Sequence, residues 1–161
     1  MTLGSARCRI AHRRLGVLLA SLAIAVGACG KGVDPEHRPD PLLRAQLGLT
    51  EDDRVRSVTL TGGNREHAYP DSVSVRPGAY VQFVTSDWRI HEVRFDSEAL
   101  SAAALGFLER TDQMESPPLI DRDSRFVVSF EGAPAGRYPY VLEGNAAGGR
   151  GVVVVVDDQA R

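Results

Sequence analysis

Beyond Asp53 the chain reads as short runs in which apolar and polar positions alternate. Val55 to Thr61, Ser72 to Val75, Tyr80 to Thr85, His91 to Phe95, Arg125 to Phe130, Gly136 to Val141 and Gly151 to Val156 are rich in strand formers. Gly and Pro punctuate them, as in the Gly62-Gly63-Asn64 and Arg76-Pro77-Gly78 turns. Several short strands at regular spacing predict an all-β fold, a sandwich over residues 54–161. The segment GNREHAYP, which contains His67, reads as a turn region. One helical insertion breaks the pattern: in DSEALSAAALGFLERTD, Leu100, Ala104, Phe107 and Leu108 recur on one helix face, with Asp96 or Ser97 as the expected cap. A second, short helix is expected where Asp40 precedes Pro41, Leu42, Leu43 and Leu47, and Gly48 stops it.

The first residues have a different texture. Arg7, Arg9, Arg13 and Arg14 precede an uncharged run from Leu15 to Val26, which is too short for a membrane span and fits an export signal over residues 1–28. Val26-Gly27-Ala28-Cys29 resembles the lipobox of bacterial lipoproteins, which implies cleavage before Cys29 and acylation of its thiol. The membrane is then a partner through the lipid anchor, and the mature chain faces the periplasm or the cell exterior. Residues 29–53 read as a tether that includes the short helix. Cleavage removes four of the 19 basic residues and none of the 21 acidic ones, leaving a mildly acidic domain. With Cys8 gone and Cys29 acylated, no disulfide is expected. Aromatics are sparse and no basic face is visible, so no nucleic-acid partner is expected.

Two segments together resemble the cupredoxin family of blue-copper proteins. DSVSVRPGAYVQFVTSDWRIHEVRF matches the family's strand, Pro-Gly turn, apolar strand with a Phe, Asp-containing loop and His-x-Val-x-Phe. AGRYPYVLEGNAAGGRGVVVVV matches its Gly-x-Tyr-x-Tyr strand, ligand loop and valine-rich closing strand. The resemblance implies a Greek-key sandwich and places His91 at the first copper ligand. It puts Leu142, or Val141 if the loop slips by one, at the Cys position, Asn145 at the His position and Gly149 at the Met position. Such a site depends on a copper–thiolate bond, and Cys29 is the only thiol of the mature chain. The resemblance therefore implies a degenerate member, its former metal pocket filled by apolar side chains and an amide. Restoring Cys at 142, His at 145 and Met at 149 should then return the blue colour.

No catalytic residues, no enzyme activity and no cofactor are expected, because nucleophile-elbow, zincin and phosphate-loop patterns are all missing. The reading that results is a lipid-anchored, non-catalytic binding module whose partner is an envelope protein or a small ligand. Two alternatives stay open. One is a copper-binding or electron-transfer protein with an altered site around His91, for which His67 with Glu92 or Glu143 would be the remaining donors. The other is an envelope adhesin or carbohydrate-binding sandwich that uses Trp88. Tyr138 and Tyr140 share a strand face and are expected in the core.

Overall fold

The computed structural model describes residues 37–157. The expected export signal and Cys29 lie outside the described residues. Eight strands form two four-stranded sheets: β1 (Val55–Gly62), β2 (Glu66–Tyr69), β4 (Tyr80–Thr85) and β6 (Arg125–Ser129) in the order β2-β1-β4-β6, and β3 (Ser72–Val75), β5 (His91–Phe95), β7 (Gly136–Gly144) and β8 (Gly149–Val155) in the order β3-β8-β7-β5. Only the β1–β2 and β7–β8 connections stay within a sheet; every other link crosses to the opposite one. The β1/β4 and β3/β8 pairs are parallel and the rest antiparallel, so both sheets of the sandwich are mixed.

Alternation explains the two layers. Val58, Leu60, Val81, Phe83 and Val128 face inward from one sheet, and Val93, Phe95, Tyr138, Tyr140, Leu142 and Val153 from the other, all buried. Full burial of each such side chain stabilises by about 1.5–3 kcal/mol. Aromatic edges meet aromatic faces between the layers: Phe83 and Tyr140 are 5.0 Å apart at 79°, and Phe130 and Tyr138 are 5.2 Å apart at 86°.

Both expected helices form, and the first has the expected bounds. In α1 (Pro41–Leu47) the Asp40 carboxylate accepts from the Leu43 N–H at 3.0 Å, and Gly48 ends the helix at φ 66°. Leu43 is buried and Asp40 pairs with Arg125 of β6, so α1 docks on the sandwich. The insertion helix α2 (Ala102–Arg110) starts later than expected. Its cap is Ser101, whose hydroxyl accepts from the Ala104 N–H at 3.2 Å. Asp96 instead closes a turn, its carbonyl accepting from the N–H groups of Ala99 and Leu100. The inward stripe of Ala104, Phe107 and Leu108 is as expected.

Tyr138 and Tyr140 lie in the core, but their hydroxyls fare differently. Tyr138 donates to the Pro134 carbonyl at 2.7 Å, whereas the Tyr140 hydroxyl has no hydrogen-bond partner. Burial pushes the Tyr138 phenol up to about 12, and burial followed by the nearby Asp71 charge raises that of Tyr140 further. Tyr140 faces Gly151 across the β7/β8 ladder, and a Cβ at 151 would stand 2.2 Å from its oxygen and 2.6 Å from the Asp71 carbonyl. Tyr140→Phe removes an unsatisfied buried hydroxyl and should raise stability by about 1 kcal/mol. Gly151→Ala overpacks the same place and should cost about 1–3 kcal/mol. Urea unfolding midpoints of the two variants check both signs.

Candidate functional site

At one end of the sandwich, β5 begins with His91, which pairs in register with Gly144 at the end of β7. The Asp87–Ile90 loop enters β5, and the β7–β8 turn carries Asn145 to Gly148. The structure thus brings His91, Leu142, Asn145 and Gly149 to the same end, as the resemblance implies. The chemistry around His91 is another matter.

His91 is almost completely buried, and both its ring nitrogens contact carboxylates. Nδ1 lies 2.7 Å from Glu66 Oε2, and Nε2 lies 2.8 Å from Asp87 Oδ1. Glu66 opens β2 and its side chain has no exposed surface, while that of Asp87 is 26% exposed. The second Glu66 oxygen accepts from the Ala146 N–H at 3.2 Å. Asp87 accepts from the Gly62 N–H at 2.8 Å and the Arg89 N–H at 2.9 Å.

Burial alone would raise the Asp87 carboxyl. The Gly62 N–H, the His91 ring and the Arg89 N–H outweigh it and hold the group down at about 2. Asp87 is therefore ionised and His91 Nε2–H donates to it. At Nδ1 the ring meets the Glu66 carboxyl at hydrogen-bond distance. Both ring nitrogens and both Glu66 oxygens have a hydrogen-bond partner, which buried polar groups require. The three residues tie β1, β2, β5 and the two flanking loops together.

Because Asp87 is depressed in the folded state, its stabilisation is complete above its unfolded value of about 3.9 and is lost as pH falls towards about 2. The melting temperature should therefore drop across that acid window. It should drop less in Asp87→Asn, as thermal unfolding at stepped pH would show.

The residues at the other three copper positions do different work. Leu142 is core, paired across the ladders with Val93 and Gly149. Asn145 uses its side-chain carbonyl to accept from the Ile90 N–H at 3.2 Å. Gly149 is a site of close approach, where a Cβ would lie 2.3 Å from the Glu66 carbonyl. Gly144 is equally confined, with Ile90 O at 2.3 Å and Glu66 Oε1 at 2.6 Å from a Cβ there. These two glycines let the β7–β8 turn close over Glu66.

A metal on His91 would have to displace a carboxylate from whichever nitrogen it used. His67 follows Glu66 on β2 with its side chain on the opposite, exposed face, and Glu143 is paired with Arg94. Among the described residues, no three His, Cys, Asp or Glu side chains converge so as to hold a metal ion. The ring stands between two carboxylates rather than beside them around a common point. The residues present do not fit a type 1 copper centre. The expected apolar filling is also corrected: the place beside His91 is taken by the Glu66 carboxylate.

Sequence reasoning missed Glu66 because Asn64 and Pro70 made its segment look like a turn, and it assigned no role to Asp87. Trp88 is 74% exposed and does not cover the core; Ile90 and Ile120 near it are 41% and 56% exposed. Ile120 follows Leu119, whose backbone exchanges hydrogen bonds with that of His91.

No family model matches the chain, and no curated protein matches it. Solved structures similar to it include a mutant plastocyanin of fern, 20% identical over 62% of this chain and 99% of that one, with a TM-score of 0.45. A methionine-to-alanine mutant of amicyanin, Cu(I), is 22% identical over 79% of this chain and all of that one, with a TM-score of 0.45. Amicyanin from Paracoccus versutus is 18% identical over 68% of this chain and 87% of that one, with a TM-score of 0.43.

Proposed function

We propose that the protein is an exported, lipid-anchored, cupredoxin-like domain that serves as a non-catalytic binding module at the cell envelope and does not use type 1 copper. One observation carries the reading: both His91 nitrogens are engaged by buried or half-buried carboxylates, at 2.7 and 2.8 Å. The chain also offers no thiol beyond Cys8 and Cys29, both near its start. Electron transfer by a blue-copper centre needs the thiolate and a free imidazole nitrogen together. The exposed Trp88, Ile90 and Ile120 side chains beside the His91 end support contact with an envelope partner.

The test is metal analysis and visible spectroscopy of the protein purified from cells grown with added copper. Copper far below one equivalent and no intense visible band are expected. One tightly held equivalent would overturn the reading. Anchoring is tested separately. Cys29→Ser should abolish incorporation of labelled fatty acid and release the protein from the membrane fraction, because no helix among the described residues is long and apolar enough to cross a membrane. Unchanged labelling and retention would overturn the lipid anchor.

A further inference from the structure

We propose that a cavity between β2 and the start of β8 is a binding site for a small phosphate-type oxyanion, of the phosphomonoester class. The cavity has a volume of about 390 Å³ and is lined by Arg65, His67, Asp71, Gly148 and Arg150 together with the Glu66 backbone strand. It shares Glu66 and Gly149 with the His91 end, while Trp88, Ile90 and Ile120 are not among its lining residues.

Charge is the first argument. Arg44, Arg94 and Arg125 are each paired with a carboxylate, Glu51, Glu143 and Asp40 respectively. Arg65 and Arg150 make no ion pair or side-chain hydrogen bond with any described residue, although acidic residues outnumber basic ones in the chain, 21 to 19. Glu66, next to Arg65 in sequence and among the lining residues, cannot neutralise them: its carboxylate is turned inward, without exposed surface, onto His91 and the Ala146 N–H. Two guanidiniums without a partner among the described residues, one just before β2 and one on β8, therefore share one concave site with the His67 imidazole and the Asp71 carboxylate.

Geometry selects the ligand. The Glu66 N–H donates to the Ala147 carbonyl at 2.7 Å, and Arg65 bridges Ala147, which fixes the turn against β2. Gly149 permits this approach because no side chain there could clear the Glu66 backbone. Arg65, held in a bridge to Ala147, and Arg150, on β8, both line the cavity. Two guanidiniums from separate segments of the chain suit a tetrahedral dianion better than a planar carboxylate, which is satisfied by one guanidinium fork. Asp71 adds an acceptor for a hydroxyl on the ester portion. The volume exceeds what inorganic phosphate alone fills, and it accommodates a small polyol phosphate.

The experiment is calorimetric titration of the purified protein at low salt with inorganic phosphate and with glycerol 3-phosphate, and flotation with phosphatidylcholine vesicles containing phosphatidic acid. Saturable binding of the soluble anions is expected, weakened about tenfold for each guanidinium removed in Arg65→Gln and Arg150→Gln. Arg137→Gln, an exposed change elsewhere, should leave it unaltered. Thermal unfolding should be unchanged in all three variants, since the side chains are exposed. Binding to the vesicles alone, lost in the double variant, would assign the same oxyanion chemistry to a lipid headgroup. Absence of binding in every arm, or binding that persists in the double variant, would overturn the proposal.

Discussion

His91→Ala is expected to destabilise the protein by about 3–5 kcal/mol, a large share of the roughly 5–15 kcal/mol that holds a domain of this size folded. The imidazole separates two carboxylates, and without it Glu66 is left with a buried, unsatisfied oxygen. Asp87 suffers less, because it keeps the N–H groups of Gly62 and Arg89 and is partly exposed. Replacing both members of the buried pair by apolar residues of similar volume, as in Glu66→Leu with His91→Leu, should therefore recover most of the loss. Urea denaturation of the single and double variants measures the coupling. If His91→Ala unfolds at the wild-type midpoint, the carboxylates are solvated and the triad is not a structural element.

The second large effect concerns colour. From the sequence, Leu142→Cys, Asn145→His and Gly149→Met complete a ligand set around His91. The structure changes that expectation. In the triple variant both His91 nitrogens remain occupied, and the new Cβ at 149 lies 2.3 Å from the Glu66 carbonyl, so the protein should stay colourless with copper and lose stability. Leaving Gly149 in place and adding Glu66→Ala to the Cys and His changes frees Nδ1. That combination should give the intense thiolate-to-copper absorption of a blue site. A blue triple variant with Glu66 intact would show that the Glu66–His91 contact yields to copper and is not what excludes the metal.

Most strands were legible because their alternation is strong: Val58 and Leu60, Val93 and Phe95, Tyr138 and Tyr140 each mark an inward face two residues apart. β2 was not. Glu66, His67, Ala68 and Tyr69 include only one good strand former, and the segment is set between Asn64 and Pro70. The strand exists because Glu66 has somewhere to go, and a partner 25 residues away leaves no local trace in the chain. The start of α2 was misplaced for a related reason. Asp96 and Ser97 are good caps by type, but the Asp96 carbonyl closes a turn first, which leaves Ser101 as the cap. At the candidate site, the sequence showed which ligands were replaced but not what replaced the metal, since a glutamate on an unrecognised strand carries no motif.

The inward carboxylate of Glu66 also changes what the domain needs from its surroundings. Stability conferred by a bound ion follows mass action and rises and falls with the free concentration of that ion. A cross-link made from the chain's own glutamate, histidine and aspartate is present at unit stoichiometry from the moment of synthesis. It has no supply to run short of, nothing for a chelator to remove, and no oxidation state to change. This cross-link needs no metal to close and keeps the same geometry whether copper is scarce or abundant.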